Sequence, residues 1–448
     1  MTSLKKLAYR GAFWTIAGYG MSQVVRFGGN LILTRLLVPE FFGLMAVVNT
    51  LRLGIELFSD IGISQSIVNS KRGEEPAFLN TAWTLQIIRG WVIWLLCLIL
   101  TFPVASFYEE SRLLWLIPIV GASSVLDGFS STSILTLMRR IDVRRSTLFD
   151  LSVQVFTLFS LVAWASFNPS IWALAFGVVL GAVYKMFGSH FLIPEYRNRF
   201  TWDKEAVKEI LSFGKWMFMS SALMFASEQS DRLILGKLLS FQMLGIYTIA
   251  YTLANLPRQV IKQLSYKVIF PTISNQTELP RKTLRAKIIK QRKFLLMGCA
   301  VGLAALVTVG DLVIGTLYDD RYAQATWMMP LLCAGIWFSL LFYTISPALM
   351  AIGKPLYLAQ SNLARFVMIG LGLPLAYYRF GLIGAILAIA FGDLPLYFVN
   401  LYGLWREKLS CVMQDIQATI FYVAVLSLFL YIRYSLGFGI PIQSFLNY

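Results

Sequence analysis

Long apolar stretches alternate with short polar segments along almost the whole chain. A hydrocarbon slab about 30 Å thick calls for a helix of roughly 20 apolar residues, at about 1.5 Å of rise per residue. Stretches of that length recur from Gly11 nearly to the C-terminus and predict spans over 11–34, 43–64, 81–107, 113–137, 147–167, 170–193, 213–239, 243–268, 294–317, 325–350, 355–378, 380–404 and 416–435. The predicted fold class is therefore all-α, a polytopic membrane bundle of 12–14 transmembrane helices.

Composition agrees with this pattern. Of the 448 residues, 57% are hydrophobic and 14% charged, against roughly 45–50% and 25% in soluble globular chains, an excess too large for one soluble core. The formal charge of +16 excludes no partner by itself, but the Lys and Arg residues sit in short loops rather than on a soluble face. They occur at Lys5, Lys6 and Arg10, at Lys71 and Arg72, from Arg139 to Arg145, from Arg197 to Lys215, from Arg281 to Lys293, at Lys354, and at Arg406 and Lys408. All fall on one side of the predicted bundle, so membrane topology explains them better than nucleic acid and places the N-terminus in the cytoplasm. The opposite loops carry Glu109, Glu110, Asp319 and Asp320. Thirteen crossings put the C-terminus outside; without the short last segment there are twelve. The basic start, Met1 to Arg10, leads into a stretch holding Gln23 and Arg26 and reads as a retained first span rather than a cleaved signal. Cys97, Cys299, Cys333 and Cys411 show no metal-ligand spacing, so neither a zinc site, a disulfide framework nor a cofactor is expected.

The chain resembles itself at an offset of 202. Leu31 to Leu51 (LILTRLLVPEFFGLMAVVNTL) matches Leu233 to Leu253 (LILGKLLSFQMLGIYTIAYTL), with identities at Leu31, Ile32, Leu33, Leu36, Leu37, Gly43, Thr50 and Leu51. Six crossings separate the copies, so both run in the same direction, as in parallel repeats. The expected organisation is a six-helix half over 1–194, a cytoplasmic linker over 195–212, a second six-helix half over 213–405 and an extra C-terminal helix and tail over 406–448. Asp203 to Ile210 reads as a short amphipathic helix on the cytoplasmic surface, within a tether.

Charges inside the predicted spans carry the functional signal. Arg52, Glu56 and Asp60 are spaced by four and form one stripe. At a lipid-facing position each costs roughly 2.5–3.5 kcal/mol, so the stripe faces protein or water. Arg258 and Lys262 repeat the spacing, the seventh span holds Glu228, Asp231 and Arg232, and the first holds Gln23, Arg26 and Asn30. The offset pairs Arg26 with Glu228, Glu56 with Arg258 and Asp60 with Lys262, each opposite in sign, which suggests a charged cavity between the halves. Buried ion pairs that merely fix helix packing give the same pattern. Arg52 aligns with Ala254 and receives no opposite charge by symmetry; with Arg26 and Arg258 it offers an anion site, to which arginine's bidentate fork is suited.

Other features change the picture less. Arg89, Asp127, Lys185, Asp311, Arg365 and Asp393 lack a pattern, and several lie where snorkelling is easy. Trp14, Tyr19, Trp216, Tyr247 and Tyr251 suit lipid or packing contact better than sugar stacking. Pro39 and Glu40 open the second span as a turn device. RKTLRAKIIKQRK, from Arg281 to Lys293, fits a helix lying on an anionic leaflet as well as a plain topology determinant. His190 has no partner histidine or cysteine in sequence.

The run LTRLLVPEFFGLMAVVNTLRLGIELFSDIGISQSIV, Leu33 to Val68, resembles the N-terminal signature of oligosaccharide flippases of the multidrug/oligosaccharidyl-lipid/polysaccharide exporter superfamily. A weaker likeness continues in ALMAIGKPLYLAQSNLARF and YYRFGLIGAILA. The resemblance implies a two-lobed bundle that moves polyprenyl-diphosphate-linked oligosaccharide from the cytoplasmic to the periplasmic leaflet of the bacterial inner membrane by alternating access. It implies as partners membrane lipids, the lipid-linked substrate, and polysaccharide polymerase and assembly proteins. By position, it assigns Arg26, Arg52 and Arg258 to the diphosphate. Glu56, Asp60, Glu228, Asp231, Arg232 and Lys262 become cavity ion pairs or coupling groups. Members often have twelve or fourteen spans, from which thirteen departs.

A multidrug or other lipid exporter of the same fold is the nearest rival, although it calls for unpaired carboxylates more than for arginines. A membrane-embedded assembly enzyme would be expected to show a large extracytoplasmic loop or a catalytic histidine in the membrane. A non-transporting scaffold remains the other class.

Overall fold

The computed structural model describes residues 2–140, 142–193 and 197–441, with the side chains of 2–13, 15–16 and 213–220 outside the description. Expectations for Lys5, Lys6, Arg10 and Trp216, and for the first residues of the linker, therefore lie outside the described residues. Every regular element described is helical, and the chain divides into two compact units, Met1–Ala222 and Leu223–Tyr448.

The first unit holds α1 (Thr2–Leu36), α2 (Pro39–Phe58), α3 (Ile63–Asn69), α4 (Pro76–Tyr108), α5 (Leu113–Phe129), α6 (Ser133–Arg139), α7 (Val143–Phe167) and α8 (Ile171–Ser189), and ends inside α9 (Lys204–Leu238). The second continues with α10 (Phe241–Ala254), α11 (Leu256–Leu264), α12 (Phe270–Ser274), α13 (Arg281–Leu317), α14 (Ala325–Ala351), α15 (Leu356–Val367), α16 (Leu373–Ala390), α17 (Leu394–Arg406) and α18 (Val412–Ser435). Among the described residues eight helices are long and apolar enough to cross a membrane, or nine if the bent pair α5 and α6 is one span. The protein is an integral membrane helical bundle. α1 ends at Leu36 and α9 at Leu238, while α2 begins at Pro39 and α10 at Phe241, each pair 202 residues apart.

Several spans are broken where the sequence predicts continuous ones. The fourth bends by 62° between α5 and α6, at the Ser130–Thr132 cluster. Serine and threonine there can bond the backbone in place of the helical ladder. The span expected over 380–404 begins at Gly381, whose φ of 60° lies in the left-handed region open to glycine, and breaks again before Leu394.

Two expectations about surface helices are corrected. The linker helix does not lie free on the surface: Ala206 and Ile210 are fully buried against Ile63, Ile67, Phe78, Leu79, Ala82 and Leu85 of the same unit. Ahead of it, the N–H groups of Arg199, Thr201 and Asp203 donate to side-chain oxygens of Asn80, Thr84 and Thr81 on α4, at 3.0, 3.2 and 3.0 Å. The two-residue spacing is that of an extended chain, so 197–203 is a strap rather than a tether. Likewise, Arg281 to Lys293 is the first part of the 37-residue α13, and its apolar face, Leu284 and Ile288, is buried with Ile345, Leu349, Leu404 and Leu409. That face is occupied by protein and is unavailable to lipid.

In the second unit α14 is the core, with Trp327 and Trp337 almost wholly buried. The extra helix α18 packs along α13 and is held there by two ion pairs. Arg292 bonds Asp415, which also accepts from Tyr397 Oη at 2.7 Å; Arg433 forks onto Asp311 at 2.6 and 2.5 Å.

Candidate functional site

The first unit contains a cavity of about 520 Å³ whose walls come from α2, α3, α4, α5, α6 and α8. Six charged side chains line it: Arg52, Glu56, Asp60, Arg89, Asp127 and Lys185. One helical turn separates Arg52 from Glu56, so Nη1 of the arginine meets Oε1 of the glutamate at 2.5 Å. The arginine without a symmetry partner is thus neutralised by its own stripe. Ser124 Oγ donates to the same carboxylate oxygen at 3.3 Å.

Arg89 answers a different need. Its Nη2 and Nε donate to the carbonyls of Glu56 and Ser59 at 2.6 and 2.9 Å, satisfying acceptors left open at the end of α2, where a cation also suits the helix dipole. Beyond that end, Asp60 Oδ1 accepts from the N–H of Gly62 at 3.0 Å, and Gly62 turns the chain with φ 72°. Across the cavity Lys185 Nζ on α8 lies 2.7 Å from Asp127 Oδ1 on α5. The carbonyls freed by the break after α5 are also satisfied: Gln86 Nε2 lies 3.1 Å from those of Asp127, Gly128 and Ser130. His190 Nε2 lies 3.1 Å from that of Phe129. That contact gives the histidine, whose sequence neighbourhood offers no partner, a place in the break.

The second unit gathers its charges into a buried network. Asp393, just ahead of α17, lies 2.5 Å from Arg365 Nε and 3.5 Å from Arg258 Nη1. Arg365 also donates to the carbonyl of Ser227 on α9, and all three members of the triad are at most 6% exposed. Lys262 Nζ meets Glu228 Oε1 at 2.5 Å, and both Lys262 and Arg258 lie 5.7 Å from the centre of the Tyr343 ring. Asp231 accepts from Tyr247 Oη at 2.5 Å. Arg232 donates to Gln229 at 2.6 Å and stands over Tyr251.

Each charge named from the repeat therefore has a place within its own unit, with one exception. Arg26 on α1 is exposed, and none of the described residues pairs with it. The charges read as unpatterned prove to be the missing partners: Asp127 with Lys185, Arg365 with Asp393, Asp311 with Arg433. Arg365 and Asp393 do not snorkel, because each is neutralised where it is buried.

The profile of a family described as polysaccharide biosynthesis protein matches residues 32–327. Among curated proteins, the teichuronic acid biosynthesis protein TuaB of Bacillus subtilis is 20% identical over 72% of this chain and 67% of its own length. The succinoglycan biosynthesis transport protein ExoT of Rhizobium meliloti is 22% identical over 71% of this chain. The match spans 64% of ExoT, slightly under two-thirds of that relative. Among solved structures, the inward closed conformation of the lipid II flippase MurJ superimposes with a TM-score of 0.69 over 95% of this chain and 99% of its own, at 14% identity.

Proposed function

Because the chain belongs to the polysaccharide biosynthesis protein family, we propose that it is a transporter and not an enzyme, flipping a polyprenyl-diphosphate-linked oligosaccharide between leaflets. The direction is from the cytoplasmic to the periplasmic face of the bacterial inner membrane, by alternating access, for envelope polysaccharide assembly. The basic loops support a cytoplasmic N-terminus.

Arg26 carries this reading. It is exposed and has no partner among the described residues, on a helix crowded with apolar residues, and leaving it against lipid costs roughly 2.5–3.5 kcal/mol. A guanidinium kept free where its neighbours are neutralised is suited to an anionic cargo such as a diphosphate. Arg52, half-buried on the next helix, is held by Glu56, so in this proposal it stays with that pair rather than serving the phosphate. Arg258, in the second unit, is likewise held, by Asp393, and takes no phosphate role. Glu56, Asp60, Glu228, Asp231, Arg232 and Lys262 stay neutralising partners rather than carriers of a coupling ion. Burying an unpaired charge is far costlier than keeping the pair.

The test is purified protein in proteoliposomes holding a fluorescent polyprenyl-diphosphate oligosaccharide, with an impermeant quencher reporting the outer leaflet. Protein-dependent transfer is expected. Leaflet exchange no faster than in protein-free vesicles would overturn the proposal.

A further inference from the structure

The cavity of the first unit has a composition that its flipping role does not explain by itself. The six charged groups among its described lining residues are three cations and three carboxylates, so these walls are formally neutral. Two of the cations already hold a carboxylate, Arg52 with Glu56 and Lys185 with Asp127, and Arg89 is committed to backbone carbonyls. A phosphate entering here would have to take a cation from its carboxylate, leaving that anion unpaired beside a second one. A hydroxyl group has no such conflict, because it donates to the carboxylate and accepts from the cation at once, inserting beside a pair without breaking it.

Size and lining agree. The volume lies inside the range of roughly 300–1,000 Å³ typical of small-molecule sites, and no aromatic ring is among the described residues lining it. Recognition here rests on hydrogen bonds rather than on stacking, which suits a ligand distinguished by the arrangement of its hydroxyls. Both members of the Asp127–Lys185 pair are about one-third exposed, whereas the triad of the second unit is sealed. The pair is therefore within a ligand's reach.

We propose that this cavity is the subsite for an uncharged sugar unit of the cargo, and that Asp127 and Lys185 set which sugar it accepts. The inference rests on the flippase reading and adds a division of labour to it: Arg26 serves phosphate, and the neutral cavity serves carbohydrate.

The experiment is ligand-observed NMR on the full-length protein in detergent, with free neutral hexoses, N-acetylhexosamines and inorganic pyrophosphate as probes. At least one neutral sugar should bind the unsubstituted protein. Asp127→Asn should weaken it by about tenfold or more, since a charge-assisted bond is lost, and leave pyrophosphate binding unchanged. The exchanged variant Asp127→Lys with Lys185→Asp keeps the ion pair, so it should keep the melting temperature while changing the order of preference among sugars. Absence of any sugar signal at tens of millimolar overturns the subsite. So does an unchanged preference in the exchanged variant, or loss of pyrophosphate binding in Asp127→Asn. Asp127-dependent sugar binding without flipping in proteoliposomes would leave the subsite standing and remove the transport reading. Flipping with an unaltered preference would do the reverse.

Discussion

The guanidinium of Arg72 lies 2.6 Å from Oδ2 of Asp203, joining the loop before α4 to the first turn of α9. Asp203 Oδ1 meanwhile accepts from the N–H groups of Glu205 and Ala206, so one carboxylate caps α9 and anchors the strap. The Arg72 hydrogen bond holds its carboxyl below the usual aspartate range. A lowered folded-state value contributes stability that is present above the unfolded value and disappears as pH falls through the folded one. Hydrogen exchange of residues 197–210 should thus be insensitive to pairing between pH 5 and 8, after correction for the intrinsic rate, and accelerate only in more acidic solution. Asp203→Ala should raise it several-fold at neutral pH, and Asp203→Asn, which still caps, by less.

Arg26→Ala should slow flipping by on the order of tenfold to a hundredfold, the worth of one charge-assisted hydrogen bond to an ionised ligand. It should leave the melting temperature unchanged, because no described residue depends on that side chain. Proteoliposome flipping beside thermal unfolding measures both; a large loss of stability with flipping intact would assign Arg26 to packing.

For the buried triad the order reverses. Asp393→Ala leaves Arg258 and Arg365 buried together without their shared anion, a loss of about 3–5 kcal/mol. Replacing all three by apolar residues of similar volume (Arg258→Met, Arg365→Met, Asp393→Leu) should regain most of it. Denaturation monitored by tryptophan fluorescence would show whether the triple variant recovers. Flipping lost in a recovered fold would identify the triad as functional.

The extra helix is not dispensable. Truncation before Val412 removes Asp415 and Arg433, orphaning Arg292 and Asp311 in the interior, and folded yield should fall severely. Arg292→Met combined with Asp415→Leu should be far milder than either single change, a comparison readable by fluorescence-detected size exclusion.

Gly335→Ala probes the core of the second unit. The added methyl would lie 1.9 Å from the carbonyl oxygen of Ala390, a backbone atom that cannot rotate away. Overpacking of this kind typically costs about 1–3 kcal/mol, and the melting temperature should fall accordingly.

How much of this was legible depends on the distance over which partners communicate. Eight or nine of the thirteen expected spans follow from hydropathy among the described residues, and Arg52 with Glu56 follows from a spacing of four. Lys185 and Asp127 are 58 residues apart in sequence, and Arg292 and Asp415 are 123 apart. No periodicity links such pairs, because a helix encodes only its own faces. The bend after α5 left a trace in the run Ser130 to Ser133, but a serine cluster equally suits an unbroken helix that bonds its own preceding turn. The buried face of the linker helix was readable as amphipathic. Whether protein or lipid covered it was not, because apolar side chains bury equally well against either.

The strap over 197–203 turns alternate backbone N–H groups toward α4, which leaves Phe200 and Trp202 between them, 68% and 55% exposed. Tryptophan favours the boundary between headgroups and acyl chains. An exposed indole on a ribbon hydrogen-bonded to α4 thus carries that boundary preference on a segment that cannot swing away from the first unit.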